Sequence, residues 1–458
     1  MFFCPGRLTA PSHRLTRRAD ACQLPSNLRA SDGFNALGRL AVPTPAAQLG
    51  PGLLASLFEL PFQLSHFNNY LCALMWNIKR KITVQCHPGL PPFAANELRS
   101  LGFPVTEEAN MHVVTEGTLH DCMYLNLHLR TGNRILWEMG SFELKDSEGL
   151  YKNIFEMPWE TVIPNDGYFS IHSFAKHESI NDTRYPNLKA KDAIVDRIKS
   201  KTGRRPDSGN DFNEAVVYFF WNRENCTVYI DTSGETISKH TYRKMPFKAP
   251  VAEPLAAAIV QATEWSPSIP LINPMCGSGT IAIEAALKAA NIAPGLNRHN
   301  FGFKHLIGFD NNAWKTMLAS AKSKVNAKIN VTIIGSDRDM KALQAARTNA
   351  AEAGVASMIK WELCPYENTT LPDGEGIIIL NPEYGERMGE ESELEAVYKG
   401  IGDFFKQRCQ GKRGFIFTGN LNLIKKVGLR SSAKWPFFNA KIDSRLVAYD
   451  MYEGSKKN

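Results

Sequence analysis

The chain holds 458 residues, 43% of them hydrophobic, which is enough to bury more than one core, so two or three domains are expected. Its formal net charge of +7 permits a polyanionic partner without demanding one. Nine cysteines are scattered with no Cys-x-x-Cys pair, which argues against a zinc ribbon or an iron–sulfur cluster. Free thiols in a reducing compartment, with no bound metal, are the expectation.

Residues 1–78 stand apart from the rest. They carry Arg7, Arg14, Arg17, Arg18, Arg29 and Arg39 against three acids, Asp20, Asp32 and Glu59. An acid-poor, Arg- and Ser-bearing start resembles an organellar transit peptide. The other reading is an upstream extension of a cytoplasmic protein that starts near Met75. The apolar patch from Leu53 to Trp76 is broken by Glu59, Pro61, His66 and two Asn, a poor membrane span, so no membrane partner is expected.

From Lys79 the pattern is regular. KITVQC predicts a strand, PGLPP a turn and FAANELRSLGF an amphipathic helix. A strand pair around VTEEANMHVVTEGT, the helix LHDCMYLNLHLRT and the strand RILWEMGSFELK complete a β-α-β-β-α-β order, that of a ferredoxin-like domain over 79–149. Residues 150–245 add the strands YFSIHSFAKH, AVVYFFWN and CTVYIDTSG and the helix LKAKDAIVDRIKSKTG. That helix and its exit carry Lys189, Lys191, Arg204 and Arg205, with Asp192, Asp196 and Asp207 interleaved. A charge run on a helix is first of all a solvated face. The nearby run His240-Thr241-Tyr242-Arg243-Lys244 adds groups that stack on bases and bind phosphate, which makes Tyr242, Arg243 and Lys244 candidate RNA contacts.

Residues 246–458 alternate helix and strand, the order of a doubly wound parallel sheet. The helix PLAAAIVQATEW leads to the strand IPLIN and a glycine turn. The strand VTIIGSD precedes the helix MKALQAARTNAAEAG, GIIIL precedes ELEAVYKGIGDFFKQ, and RGFIFTGN precedes a helix around LNLIKKV. FFNAKID and RLVAYDMYE close the chain as a hairpin. HLIGF reads as a weaker strand ending at Asp310, within an insertion.

Two motifs carry the chemistry. Asn273-Pro274-Met275-Cys276-Gly277-Ser278-Gly279-Thr280 joins an apolar strand to an Ala-rich helix, a turn where a nucleotide-like cofactor can approach the backbone. A lone GxGxxA is shared with dehydrogenases, but those place an acid about 20 residues later. The acids nearest in role here, Asp310 and Asp337, come farther on. Asp337 ends the β-branched strand and is the better candidate for ribose hydroxyls, the alternative being a helix cap. The second motif, Asn381-Pro382-Glu383-Tyr384, directly follows Ile377-Ile378-Ile379-Leu380 and suits a planar base with its amino group. Together they read as a methyltransferase that moves a methyl group from S-adenosylmethionine to nitrogen.

NPMCGSGTIAIEAA, APGLNR, GSDRDMKALQAARTNAAEAG, NPEYGERMG and DTSGETISKHTYRK resemble, in order over about residues 79–455, the THUMP-domain methyltransferases. The group most resembled is that of ribosomal RNA large subunit methyltransferase L and its YpsC-type single-module relatives. The resemblance implies a Rossmann-like class I methyltransferase domain at 246–458, preceded by ferredoxin-like and THUMP RNA-binding parts. It also implies N2-methylation of guanine in 23S rRNA, although many members carry the label of adenine-specific N6 DNA methylase. Three positions depart from the family pattern: Asn273 stands for Asp, Glu383 for Pro, and Cys364-Pro365-Tyr366-Glu367 lacks the acid that serves adenine.

By this reading Asn273, Pro274, Cys276, Gly277, Gly279, Thr280 and Asp337 hold the cofactor, and Asn381, Pro382 and Tyr384 hold the base. The tetrapeptide does not by itself separate guanine-N2 from adenine-N6 methylation. The three departures leave a non-catalytic RNA-binding assembly factor as a third reading.

Overall fold

The computed structural model describes residues 75–451 except 181, 183, 249 and 384–390. The transit-like stretch up to residue 74 and the motif residue Tyr384 lie outside the described residues. The packed body nevertheless begins before Lys79. Trp76 is 2% exposed, and its indole N–H donates to the Ile307 carbonyl at 2.8 Å. Residues 75–78 thus belong to the fold, a correction to the expected boundary: an indole offers a large area to bury once its N–H finds an acceptor.

The first half follows the predicted order: β1 (Arg80–Gln85), the helix Pro91–Ser100, β2 (Glu107–Glu108), β3 (His112–Gly117), the helix Leu119–His128 and β4 (Arg134–Glu143). Thr118 and Asp121 form a reciprocal capping box that starts the second helix. An unpredicted short helix, Ser147–Phe155, follows, capped by Asp146. It is only nine residues long and carries Gly149 in its first turn, which makes it too short and too glycine-interrupted to be read from sequence. Next come β5 (Tyr168–Lys176), the helix Arg184–Thr202, β6 (Asp207–Gly209), β7 (Ala215–Asn222) and β8 (Asn225–Asp231).

All eight strands join in one sheet, ordered β2-β3-β1-β4-β8-β7-β5-β6. The seam is β4 against β8, antiparallel from Leu136↔Asp231 to Glu143↔Asn225. Alternate residues Ile82, Val84, Ile135, Trp137, Val217, Phe219, Val228 and Ile230 are buried with Leu98, Leu125, Ile154 and Ile194 of the four helices.

The second half contains the helix Glu253–Ala262, β9 (Leu271–Pro274), the helices Thr280–Ala289 and Asn311–Ser323, β10 (Ile333–Asp337), the helix Met340–Glu352, β11 (Ile359–Leu363) and β12 (Ile377–Leu380). It ends with the helix Glu391–Arg408, β13 (Arg413–Thr418), the helix Leu421–Lys426, β14 (Ala433–Asn439) and β15 (Ile442–Asp450). The sheet order is β11-β10-β9-β12-β13-β15-β14, parallel up to β13 and antiparallel beyond it. From β9 the chain runs outward to β10 and β11, then crosses back to β12. The carboxyl ends of β9, β10 and β12 therefore frame a topological switch point, where ligands of such sheets bind.

Two expectations are corrected. HLIGF is not a strand: Gly302–His305 forms a 3-10 turn, and Asp310 caps the next helix by accepting from the Asn312 and Ala313 N–H groups. The terminal hairpin forms, but its two-residue loop is Ala440–Lys441, so FFNAKID folds back within itself. Ala440 adopts a left-handed φ of 55°, a turn with none of the Asn-Gly or Asp-Gly chemistry that announces one. No helix among the described residues is long and apolar enough to cross a membrane.

Candidate active site

The glycine turn is built by two strands and one helix. Cys276 N–H donates to the Ser336 carbonyl at 3.0 Å, which continues the β9–β10 pairing beyond the strand end. Gly277 has φ 55°, and a Cβ added there would meet nothing within 4 Å, so its backbone faces open space. Gly279 has φ 79°, and a Cβ there would lie 2.6 Å from the Trp361 ring and 2.9 Å from Ala346 Cβ. The first glycine leaves room for a ligand, and the second lets the helix Thr280–Ala289 close onto its neighbours.

Asp337 is the last residue of β10. Its carboxylate accepts from Gly277 N–H and from Asp339 N–H, each at 3.0 Å. The cap of the following helix is Asp339, whose side chain accepts from Lys341 N–H. The capping alternative for Asp337 is thereby removed. A carboxylate has about four acceptor sites, so the two backbone bonds leave capacity for ribose hydroxyls. Beyond β11, Cys364 N–H donates to the Asp337 carbonyl, while Glu367 is exposed.

The structure brings both motifs to one cleft, lined by Lys248, Asn273, Cys276, Gly277, Thr280 and Asn381 among others. Asn273 is 1% exposed, and its amide nitrogen donates to the Ile379 carbonyl on β12 at 2.8 Å. That bond needs a donor, which gives the departure from Asp a structural meaning: Asn273 clips the first motif to the strand bearing the second. It also fixes the amide orientation. The Asn273 and Asn381 side-chain oxygens are both buried without a hydrogen-bond partner. Buried acceptors are nearly always paired, so two orphans in one cleft mark a place for a ligand's donors. Pro382 is buried and Glu383 exposed.

The candidate RNA residues divide. Tyr242 is 2% exposed and donates its hydroxyl to Glu284 Oε1 at 2.8 Å, so it cannot stack on a base, a correction to the expectation. Arg243 is also corrected: its guanidinium pairs with Glu253 at 3.0 Å and donates to the Val251 carbonyl. Both are drawn inward by acids that lie on helices of the second half. On the basic helix Lys189 pairs with Glu148 and Lys191 with Asp192, and just past its end Arg204 pairs with Asp166. Arg204, Arg205 and Lys244 are exposed.

Glu284 and His240 are the functional residues that sequence reasoning missed. Glu284 is 1% exposed inside an apolar helix, and its Oε1 accepts from both His240 Nδ1 (2.8 Å) and Tyr242. Arg130 of the first half lies 3.9 Å from the other oxygen. Burial disfavours the His240 imidazolium, but the adjacent Glu284 carboxylate outweighs it and raises the pKa above the ordinary value. Burial likewise opposes the Glu284 carboxylate, yet His240 and Arg130 hold its pKa below the usual range. The signal in sequence was the acid itself, interrupting IAIEAALKAA. Asn349 completes the joint: its oxygen accepts from the Lys244 and Met245 N–H groups.

Three family descriptions match the chain: an RlmL ferredoxin-like domain over residues 81–136, a THUMP domain over 145–231, and an RMKL-like methyltransferase domain over 240–448. A Synechocystis sp. protein named "Putative RNA methyltransferase slr0064" is 32% identical over 80% of this chain and 95% of its own length. Ribosomal RNA large subunit methyltransferase K/L of Syntrophotalea carbinolica is 34% identical over 80% of this chain. The chain spans about half the length of that relative, 53%. Among solved structures, SMU.472, "a putative methyltransferase complexed with SAH", superposes with a TM-score of 0.76 at 27% identity, covering 82% of this chain and 99% of that one. A "predicted N6-adenine-specific DNA methylase" from Listeria monocytogenes gives 0.76 at 28% identity, covering 83% and 98%. The chain belongs to the THUMP-domain class I methyltransferases, a family whose methyl donor is S-adenosylmethionine.

Proposed function

We propose that the chain methylates the exocyclic amino group of a base in RNA, with guanine N2 of 23S rRNA as the target. The observation that carries this reading is the meeting of the two motifs in one cleft, where the Asn273 and Asn381 oxygens await donors. S-adenosylmethionine supplies a methyl group activated by its positive sulfur. The Gly277–Gly279 backbone cradles the cofactor at the helix start, Asp337 takes the ribose hydroxyls, Asn273, Cys276 and Thr280 line its approach, and Pro274 ends the strand that leads into the turn.

An exocyclic amino group is a poor nucleophile because its lone pair is delocalised into the ring. The Asn381 oxygen and the Pro382 carbonyl accept its N–H groups, turn the nitrogen towards tetrahedral geometry and aim the lone pair at the methyl. Tyr384 stacks on the extruded base. In-line positioning supplies most of the acceleration. Residues 79–149 and 150–245 form the RNA-binding half, with Lys189, Lys191, Arg204, Arg205 and Lys244 as phosphate contacts, and 246–458 the catalytic domain. The label of the Listeria relative favours adenine-N6 methylation as the second reading.

Mass spectrometry of rRNA nucleosides from cells with and without the gene decides between them. Loss of one N2-methylguanosine with N6-methyladenosine unchanged is expected. The reverse pattern selects adenine, and no change in either mark selects a non-catalytic assembly factor.

A further inference from the structure

The joint between the two halves forms a second, larger and half-open cavity, separate from the methyl-transfer cleft. Its walls come from both halves: Lys239, Thr241 and Lys244 on one side, Arg298, His299 and Lys322 on the other. Glu235 and Glu352 also line it, so four permanent cations face two carboxylates. Lys239, Lys244 and Lys322 are exposed. Arg298 is different in kind: it donates to the Thr236, Ser233, Glu235 and Asn300 carbonyls, so its charge is fixed in the wall. Asn213, Asn297 and Asn300 add neutral amides.

Thr241 marks the cavity in a second way. It holds a left-handed φ of 67°, a strained conformation for a β-branched residue, and its hydroxyl has no hydrogen-bond partner. Such strain collects at ligand-binding sites. The irregular segment from Thr241 onward also links the two cavities: Lys244 lines the joint cavity, and Lys248 lines the methyl-transfer cleft. Four residues span at most about 14 Å, the reach of two or three nucleotides.

We infer that this joint cavity is a phosphate-binding channel for the RNA strand flanking the target nucleotide, with Lys239, Lys244 and Lys322 as its ion-pairing groups. The inference rests on the proposed RNA substrate and adds where the strand is gripped. Phosphates suit this wall because cations are in excess, amides lie among them, and Lys244 and Lys248 set the cavity and the cleft four residues apart in the chain. The basic helix Arg184–Thr202 is the weaker grip, since its lysines are already paired with acids of the protein.

The test uses the full chain and a fluorescein-labelled stem-loop RNA, with the duplex DNA of the same sequence as control. The triple variant Lys239→Glu, Lys244→Glu, Lys322→Glu should bind the RNA at least ten-fold more weakly, with cofactor binding and melting temperature unchanged. The milder Lys→Gln triple should lower the slope of log affinity against log salt by about two, roughly 0.7 for each single-strand phosphate no longer neutralised. Equal charge reversal at Lys189, Lys191 and Arg204 should cost less. Unaltered RNA affinity and slope in both joint triples, in a protein that still methylates RNA, would overturn the channel and leave the proposed function standing. A wild-type protein that binds the methyl donor but no RNA would overturn both.

Discussion

The chain buries polar groups at two places along the helix Thr280–Ala289, one on it and one beside its amino end, and uses them differently. At mid-helix, Glu284 takes two hydrogen bonds, from His240 and Tyr242, and pairs with Arg130. At the amino end of that helix, the cleft leaves the Asn273 and Asn381 oxygens unpaired. The first cluster ties the halves together: Glu284 Oε1 is satisfied by the protein, while Oε2 keeps only the 3.9 Å ion pair with Arg130. The second is left for a ligand to close. A sequence run that promised RNA contacts, HTYRK, is spent largely on the first cluster, and the difference lies in where its partners sit in space.

Glu284→Ala should produce the largest effect. It strands a buried His240, Tyr242 and Arg130, and breaking such a cluster costs about 3–5 kcal/mol. Urea unfolding measures this, and a loss under about 1 kcal/mol, the size of an exposed pair, would reduce the joint to an incidental contact. Next comes Asn381→Ala, with turnover down by about a hundred-fold or more through lost positioning while calorimetry shows cofactor affinity nearly intact. Asp337→Ala sharpens the contrast within the cleft. Removing two charge-assisted bonds of about 1.5–3 kcal/mol each should weaken cofactor binding by about a hundred-fold or more. Equal binding defects in the Asn381 and Asp337 variants would erase the division between base and cofactor residues.

The smallest effect is the pH dependence that the joint contributes. His240 has its folded pKa above the ordinary 6.5, so its contribution is complete below that value and is lost as pH rises through the folded pKa. Glu284 lies below its ordinary 4.5, so its contribution is complete above that value and fades as pH falls through the folded pKa. The joint's share of thermal stability should therefore be complete between about 4.5 and 6.5 and decline on both sides, while His128, whose pKa burial lowers to about 4, adds a separate loss as pH falls below 6.5. His240→Gln should flatten the alkaline limb, and an unchanged limb in that variant would assign it to other groups.

Much of this architecture is written in local pattern. The parallel strands read from their apolar runs, and the cleft from two strand-end motifs that chain order alone places at a switch point. What escaped were facts about partners. Tyr242 looks like a surface aromatic until Glu284, 42 residues later, supplies its acceptor. Asp337 could have capped its helix, but Asp339 does so, a choice two residues wide that no periodicity resolves. The Ala440 turn lacks any signature residue, because the pairing of β14 with β15 forces the conformation that glycine would adopt freely. The charge run on Arg184–Thr202 was legible, but its neutralisation by Glu148 and Glu160 was not.

The β4–β8 seam has a consequence for anyone cutting the gene. Severing the chain near residue 149, between the ferredoxin-like strands and those of the THUMP part, leaves ten-residue β4 and seven-residue β8 each with a bare row of amide and carbonyl groups. Long unpaired edges of that kind recruit strands from other molecules. The isolated pieces should therefore precipitate or swap strands on expression, whereas a cut after both, near residue 245, keeps the seam closed. Shuffling of these modules during evolution faces the same constraint, and the two would travel as a single cassette.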